Sequence, residues 1–233
     1  ITGTDGEALV SDYRAIFLEG KYAFHAETPE PYIIDGGANI GLASIYFART
    51  YPNSRIRAFE ADSRIADCLR ANLKRCGVQA VEVVDQALWK ASGSHSFFPD
   101  GKTHGRLSTR NYNTVEVGTT PLSTWLDQPV DFLKLTIEGA EFEVLGEAES
   151  LLHRVRNLYV ECHSYAGEPQ RIDEILKILK KAGFRYHLSA PYAGRSPLLD
   201  PKVPYQLEFR IDVHASRREG DAEAWRRAPE TCP

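Results

Sequence analysis

A short apolar run, Tyr32-Ile33-Ile34-Asp35, ends in an acid and leads into Gly36-Gly37-Ala38-Asn39-Ile40-Gly41, after which Leu42 to Arg49 has a helical pattern. Strand, tight loop and helix in that order make a backbone cradle at the carboxyl end of a strand. A second strand reads from Arg55 to Glu60. In an open α/β sheet the ligand crevice lies beyond the carboxyl ends of the strands, so Asp35, the glycine loop and Glu60 are expected to converge. Gly37 and Gly41 would let the backbone approach a ligand closely, and Glu60 could accept hydrogen bonds from both hydroxyls of a ribose. The combination describes a site for an adenosine-containing cofactor. The glycines alone would also fit a tight turn that packs a helix on a strand, and the acid at the next strand end argues against that reading.

The acid–base candidates lie later in the chain. Asp131 to Ile137 reads as a strongly apolar strand. If it runs two residues further, period-two alternation puts Lys134, Thr136 and Glu138 on one face and Leu133, Leu135 and Ile137 on the other, with Glu138 at the rim. Glu161 and His163 close the strand Asn157 to Cys162, two residues apart and so on one face, near enough to Glu138 for a proton relay or for metal coordination. The plainer alternatives are that Glu161 neutralises a partly buried Lys134 and that His163 is a hydrogen-bonded strand-end residue. Glu141 reads better as a partner of the next helix's N-terminal dipole than as a catalyst. In the 97–113 stretch His104 could reach over the site as a lid residue, and Arg106 and Arg110 could hold an anionic acceptor; solvated loop charge is the simpler account.

These residues need elements to position them. Ser63 through Cys76 is a helix with Ile65, Cys68, Leu69, Asn72 and Leu73 at helical spacing before the Gly77 stop, and Ala80 to Val84 is a third strand. Phe97 to Asn113, with Pro99 and two glycines, reads as a long loop or an irregular hairpin. Glu141 to Leu152 and Gln170 to Lys181 are helices. Phe184 to Leu188 and Tyr205 to Val213 are strands with no helix between them, so they should pair antiparallel. The chain divides into a helical cap segment over residues 1–31, one domain over 32–214, and a polar tail over 215–233 with a short helix near Ala222 to Arg227.

Composition narrows the class. The 233 residues suit one α/β domain, and 42% hydrophobic with 26% charged residues excludes wholesale disorder. A net charge of −4 argues against a nucleic-acid binder and a polybasic membrane anchor, so a small-molecule partner is expected. Cys68, Cys76, Cys162 and Cys232 form no C-x-x-C pair, so neither a zinc site nor a disulfide framework is signalled and a cytoplasmic location fits. No apolar stretch is long enough to span a membrane, and the N-terminus lacks the blocks of a signal peptide. The chain starts at Ile1 and contains no Met, so its natural start is expected to have been removed.

A nicotinamide site would want G-x-G-x-x-G, whereas Asn39 stands where a third glycine often lies in methyltransferases. Here the chain resembles the FkbM family of S-adenosylmethionine-dependent methyltransferases. Ile34-Asp35-Gly36-Gly37-Ala38-Asn39-Ile40-Gly41 is similar to its cofactor loop, Ala58-Phe59-Glu60 to its ribose strand, Asp131 through Glu141 to its hallmark, and Val160-Glu161-Cys162-His163 to its late acid-and-histidine strand. The resemblance runs from about Tyr22 to about Leu188. It implies a class I methyltransferase fold, a seven-stranded, mostly parallel sheet with one antiparallel strand and helices on both faces. It also implies methyl transfer from S-adenosylmethionine to a hydroxyl of a sugar or secondary metabolite.

Carried onto this sequence, Asp35, Gly37 and Asn39 line the methionine side within the loop that Gly36 and Gly41 complete. Glu60 takes the ribose, Asp85, Gln86 and Ala87 border the adenine, and Tyr22 is an aromatic near the cofactor or a packing residue. Glu138 and His163 would act on the acceptor hydroxyl, with Glu161 orienting His163 or Lys134. The family pattern places Asp where Thr136 stands, so no divalent metal is expected. The expected partner is a small-molecule hydroxyl acceptor, with no nucleic acid or membrane, and a homodimer is one assembly option. The competing functions are a non-catalytic S-adenosylmethionine-binding module and, behind it, a dinucleotide-dependent dehydrogenase.

Overall fold

The computed structural model describes residues 1, 6–99, 105–107, 114–193 and 207–217. In chain order, α1 (Gly6–Tyr13) and a π-helical turn at Arg14–Leu18 precede β1 (Tyr32–Gly36), α2 (Leu42–Thr50), β2 (Arg55–Phe59), α3 (Ser63–Arg75) and β3 (Val81–Val84). Four short strands follow: β4 (Ala87–Trp89), β5 (Gly93–Phe98), β6 (Arg106–Leu107) and β7 (Val115–Pro121). The remainder comprises β8 (Val130–Leu135), α4 (Glu141–Glu147), β9 (Val155–Tyr165), α5 (Ile172–Lys181), β10 (Arg185–Ala193) and β11 (Leu207–Ser216).

Seven strands form one sheet in the order β10-β11-β9-β8-β1-β2-β3. Among the described residues β11 alone runs against its neighbours, pairing antiparallel with both β9 and β10. β1 is buried along its whole length, as a central parallel strand covered on both faces must be. Its alternation sorts the two layers. Tyr32 and Ile34 pack with Val144 and Leu145 of α4 and Ile175, Ile178 and Leu179 of α5. Ile33 packs with Leu42, Ala43, Tyr46 and Phe47 of α2. This is the mixed α/β, class I methyltransferase architecture.

Period two also puts Asp35 of β1 and Lys134 of β8 on the α2 face, and the strand register sets them side by side. Their side chains are 0% and 5% exposed and form an ion pair at 3.0 Å. Ser44 of α2 donates to Asp35 Oδ2 at 2.7 Å, and Lys134 Nζ donates to the Gly36 and Gly37 carbonyls at 3.3 and 2.9 Å. Lys134 thus balances Asp35, not Glu161. Gly37 turns away from β1 at φ +74°, and a Cβ there would run into the Thr136 carbonyl oxygen, so only glycine fits between the loop and the end of β8.

Several elements differ from the sequence reading. β8 stops at Leu135, and Glu138 sits beyond it in a turn with φ +54°, so strand alternation does not place it. The helix expected over 141–152 breaks after Glu147 into a 3₁₀ stretch, Glu149–Arg154. β9 reaches Tyr165 because β11 pairs along it that far, which puts His163 inside the strand instead of at its end. The hairpin option for 97–113 is met where Phe97 and Phe98 pair antiparallel with Leu107 and Arg106, and these strands join β4 and β7 in a second sheet that the sequence reading did not include, ordered β4-β7-β5-β6. Ser94, Ser96, Thr119 and Thr120 interrupt its strands, so apolar alternation is confined to Val115-Glu116-Val117. His104, Arg110, Cys232 and the tail helix near Ala222 to Arg227 lie outside the described residues. The described cysteines are free thiols, and among the described residues no helix is long and apolar enough to cross a membrane.

Replacing Lys134 with Met leaves Asp35 buried without its partner and should cost about 3–5 kcal/mol in denaturant unfolding. Adding Asp35→Asn to that variant should recover part of the loss. A single substitution costing under about 1 kcal/mol would show that the pair does not hold the loop.

Candidate active site

The carboxyl ends of β1, β2 and β8 open into a cavity of about 340 Å³. Two further segments complete its walls: Ala8, Leu9, Ser11 and Asp12 of α1, and Gly105, Arg106 and Leu107 around β6.

At one end stands Glu60, just after β2. Its Oε2 accepts from the Asn39 N–H and its Oε1 from the Asp62 N–H, each at 2.9 Å. A carboxylate oxygen can accept two bonds, so each oxygen keeps one acceptor position toward the cavity. Burial pushes the Glu60 carboxyl up to about 7, against the lowering effect of those two N–H donors. Asn39 is left-handed at φ +50°, a conformation Asn tolerates, and its Oδ1 accepts from the Ile40 N–H at 2.7 Å. Phe59, Ala61, Ile65, Gln86, Ala87 and Leu88 add a largely apolar wall beside Glu60. An acceptor carboxylate next to an apolar slot fits an adenosine.

At the other end Glu138, Glu161 and His163 meet, their side chains 9%, 8% and 3% exposed. His163 Nε2 lies 3.6 Å from Glu138 Oε2 and 3.4 Å from Glu161 Oε1, while Nδ1 lies 3.3 Å from Glu141 Oε1. Both ring nitrogens therefore face carboxylates, which only the doubly protonated imidazolium satisfies. Burial would lower the imidazole pKa, but Glu138, Glu141 and Glu161 together hold it well above its ordinary value. Burial works against the Glu161 carboxylate as well, and hydrogen bonding from His163 with the charges of Lys21 and Arg210 keeps it well below the usual range. The ligand atoms of Glu138, Glu161 and His163 lie within 4.8 Å of one another, a spacing that could also admit a cation.

The sequence-derived residues divide by position. Tyr22, Gly37, Asn39, Glu60, Gln86, Ala87, Glu138, Glu161 and His163 line the cavity. Asp35, Gly36, Gly41 and Asp85 do not. Asp35 is sealed behind the loop by Lys134 and Ser44. Gly36 is pinned between Leu88 and Leu135. Gly41, at φ +92°, is the residue before α2 and lies under Leu69. Asp85 turns outward to Arg70 at 2.6 Å. Tyr22 stacks edge-on against Tyr159 and also lines the cavity. Glu141 accepts from the Ile137 and Gly139 N–H groups at 3.1 and 3.0 Å, so it closes the turn that carries Glu138.

Four residues escaped the sequence reading. Lys21 Nζ sits 3.1 Å from both Glu161 Oε2 and Asp212 Oδ2, and Arg210 NH1 is 3.6 Å from Glu161 Oε1. Tyr165 donates its hydroxyl to Glu138 Oε2 at 2.6 Å. Arg210 and Asp212 lie opposite His163 and Glu161 in the β9–β11 register, and Tyr165 continues the face of Glu161 and His163. Period-two alternation in strands already recognised was the signal that could have found these three.

Residues 35–186 match the family model of the methyltransferase FkbM domain. Methyltransferase sdnD of Sordaria araneosa is 29% identical over 204 residues, covering 71% of this chain and 79% of that protein. The 2-O-methyltransferase NoeI of Sinorhizobium fredii is 24% identical over 158 residues, covering 58% and 64%. Among solved structures, the methyltransferase FkbM of Methylobacillus flagellatus KT has a TM-score of 0.55 at 14% identity over 86% of this chain. The match spans 47% of that longer chain, and at this identity it speaks for the fold alone. With the family model covering well over half of its length, this chain belongs to the FkbM family of methyltransferases.

Proposed function

We propose that the protein transfers the methyl group of S-adenosylmethionine to a hydroxyl oxygen of a small molecule such as a sugar or secondary metabolite. The observation that carries this reading is the pairing, in one cavity, of the Glu60 acceptor carboxylate with the Glu138–His163–Glu161 cluster at the opposite end. The similarity to a 2-O-methyltransferase supports oxygen as the acceptor atom.

When bound, S-adenosylmethionine supplies an electrophilic methyl carbon and takes back the electron pair of the broken carbon–sulfur bond. Glu60 accepts from the ribose hydroxyls, Gln86 and Ala87 border the base, and Gly37, Ala38 and Asn39 follow the methionine side. Displacement on an activated carbon is mostly a matter of orientation, with a base to receive the hydroxyl proton. Glu138 takes that role here. His163, a cation between three carboxylates, has no lone pair to offer and instead fixes Glu138 and Glu161. This revises the expectation that His163 is itself a base. Lys21, Arg210 and the imidazolium offset part of the buried carboxylate charge, and on this reading the reaction uses no divalent metal.

Three outcomes follow. Ribose hydroxyls donate to an ionised Glu60, so cofactor binding below about pH 7 must expel a proton. Calorimetric affinity should then fall by up to tenfold per pH unit below 7, and it should be insensitive to this group above about 8. Glu60→Gln should bind about 1.5–3 kcal/mol more weakly and lose that component; an identical pH dependence would remove Glu60 from the ribose. Glu138→Gln should lower turnover about 10²–10⁴-fold with cofactor affinity nearly unchanged, measured with labelled methyl groups across a panel of sugars and hydroxylated metabolites. Wild-type protein that binds cofactor and methylates none of them favours the binding-module alternative. Chelator should leave turnover intact; loss restored by magnesium or manganese would make the cluster a metal site.

A further inference from the structure

Tyr165 is a residue that sequence reasoning passed over. It ends β9, and its hydroxyl donates to Glu138 Oε2 at 2.6 Å, a length typical of a strong bond to a charged acceptor. Two side chains pack against its ring. The His163 imidazole lies nearly parallel to it at 6.0 Å between centroids and 12° between planes, and the Arg106 guanidinium stacks 4.3 Å from its centroid. Arg106 comes from β6 of the small sheet, so the two sheets meet through this ring. Beside the ring the turn passes through Gly139 at φ +101°, a conformation that favours glycine.

The turn itself shows why such a brace is required. Glu138 lies beyond the end of β8 and adopts left-handed φ +54°, which a residue with a Cβ holds only when its surroundings dictate it. Glu141 ties down the backbone of that turn through Ile137 and Gly139. His163 is 3.6 Å away, attractive as a charge but too long for a hydrogen bond. Tyr165 makes the short, directional contact.

We propose that Tyr165 is the positioning residue for Glu138: its hydroxyl aims the carboxylate into the cavity at the acceptor hydroxyl, and Arg106 keeps the ring in place. This inference rests on the methyl-transfer reading above. Tyr165→Phe keeps the ring and its stacking while deleting the donor. It should lower kcat about ten- to a hundred-fold, the worth of a hydrogen bond to a charged group, with acceptor KM and cofactor Kd changed less than about twofold. Replacing Tyr165 with 4-aminophenylalanine, which restores an N–H donor at the same place, should recover most of the turnover. Infrared difference spectra, with the Glu138 carboxylate band identified by its loss in Glu138→Gln, should show that band moving in Tyr165→Phe and returning in the amino variant.

The spectra need no acceptor, so they separate this inference from the proposed function. A carboxylate band unmoved by Tyr165→Phe overturns the inference whatever the turnover. A moved band with unchanged kcat on the best acceptor of the wild-type panel overturns the role in the reaction. Wild-type protein that methylates no hydroxyl fails the proposed function first, and the positioning role falls with it.

Discussion

The buried ion pair between Asp35 and Lys134 is the contact on which the rest of the site depends. Two charges removed from water are costly unless matched, and here the match is made across adjacent parallel strands with further hydrogen bonds to each partner. Lys134 also takes the Gly36 and Gly37 carbonyls, so the chain leaving β1 cannot turn without following β8. On its other side the loop is tied to β2, where the Gly37 and Ala38 N–H groups both donate to the Phe59 carbonyl. Glu60 follows Phe59 directly, and its carboxylate closes back onto Asn39. One pair and a handful of backbone bonds therefore set the spacing between the ends of three strands, and with it the distance from Glu60 to the turn that carries Glu138.

Around Glu138 the same rule is applied to a larger set of charges. Glu138, His163, Glu161, Lys21, Asp212 and Arg210 alternate in sign, each within ion-pairing distance of the next. Burial raises the energy of every one of these charges, and the alternation offsets it. The consequence for chemistry is a division of labour. An imidazole among three carboxylates is favoured as a fixed cation, while at the edge of the network Tyr165 holds the Glu138 carboxylate at the cavity wall. The antiparallel insertion of β11 is what makes this possible, because it lays Arg210 and Asp212 against His163 and Glu161 in register.

The covering of the cavity has a different origin. α1 lies over one side, anchored through Phe17, whose ring meets Tyr46 of α2 edge-on at 5.5 Å. The small sheet brings Arg106 and Leu107 to the other. Both raise the local strength of electrostatic interactions by excluding water. On a constant sheet, such peripheral segments are where binding preferences vary most readily.

The order of strands and helices, the seven-stranded sheet with its antiparallel member, and the Glu60 end of the cavity were legible in the sequence. They depend on local regularities: apolar periods of two and near four, glycine after a strand, an acid at the next strand's end. The same regularities misplaced Asp35, Gly36 and Gly41, because a loop residue that must be small or charged for packing looks identical in sequence to one that must touch a ligand. They also passed over the small sheet, whose strands mix polar residues with the few apolar ones, Ala87, Phe97 and Val117, that pack together. The partnership of Lys21 with Glu161, 140 residues apart, the choice of Asp35 over Glu161 as the counter-ion of Lys134, and the reach of Tyr165 to Glu138 had no local signature. Which buried charges pair is settled by register and strand order, since only the folded sheet fixes the few ångströms over which desolvated charges find or miss their partners.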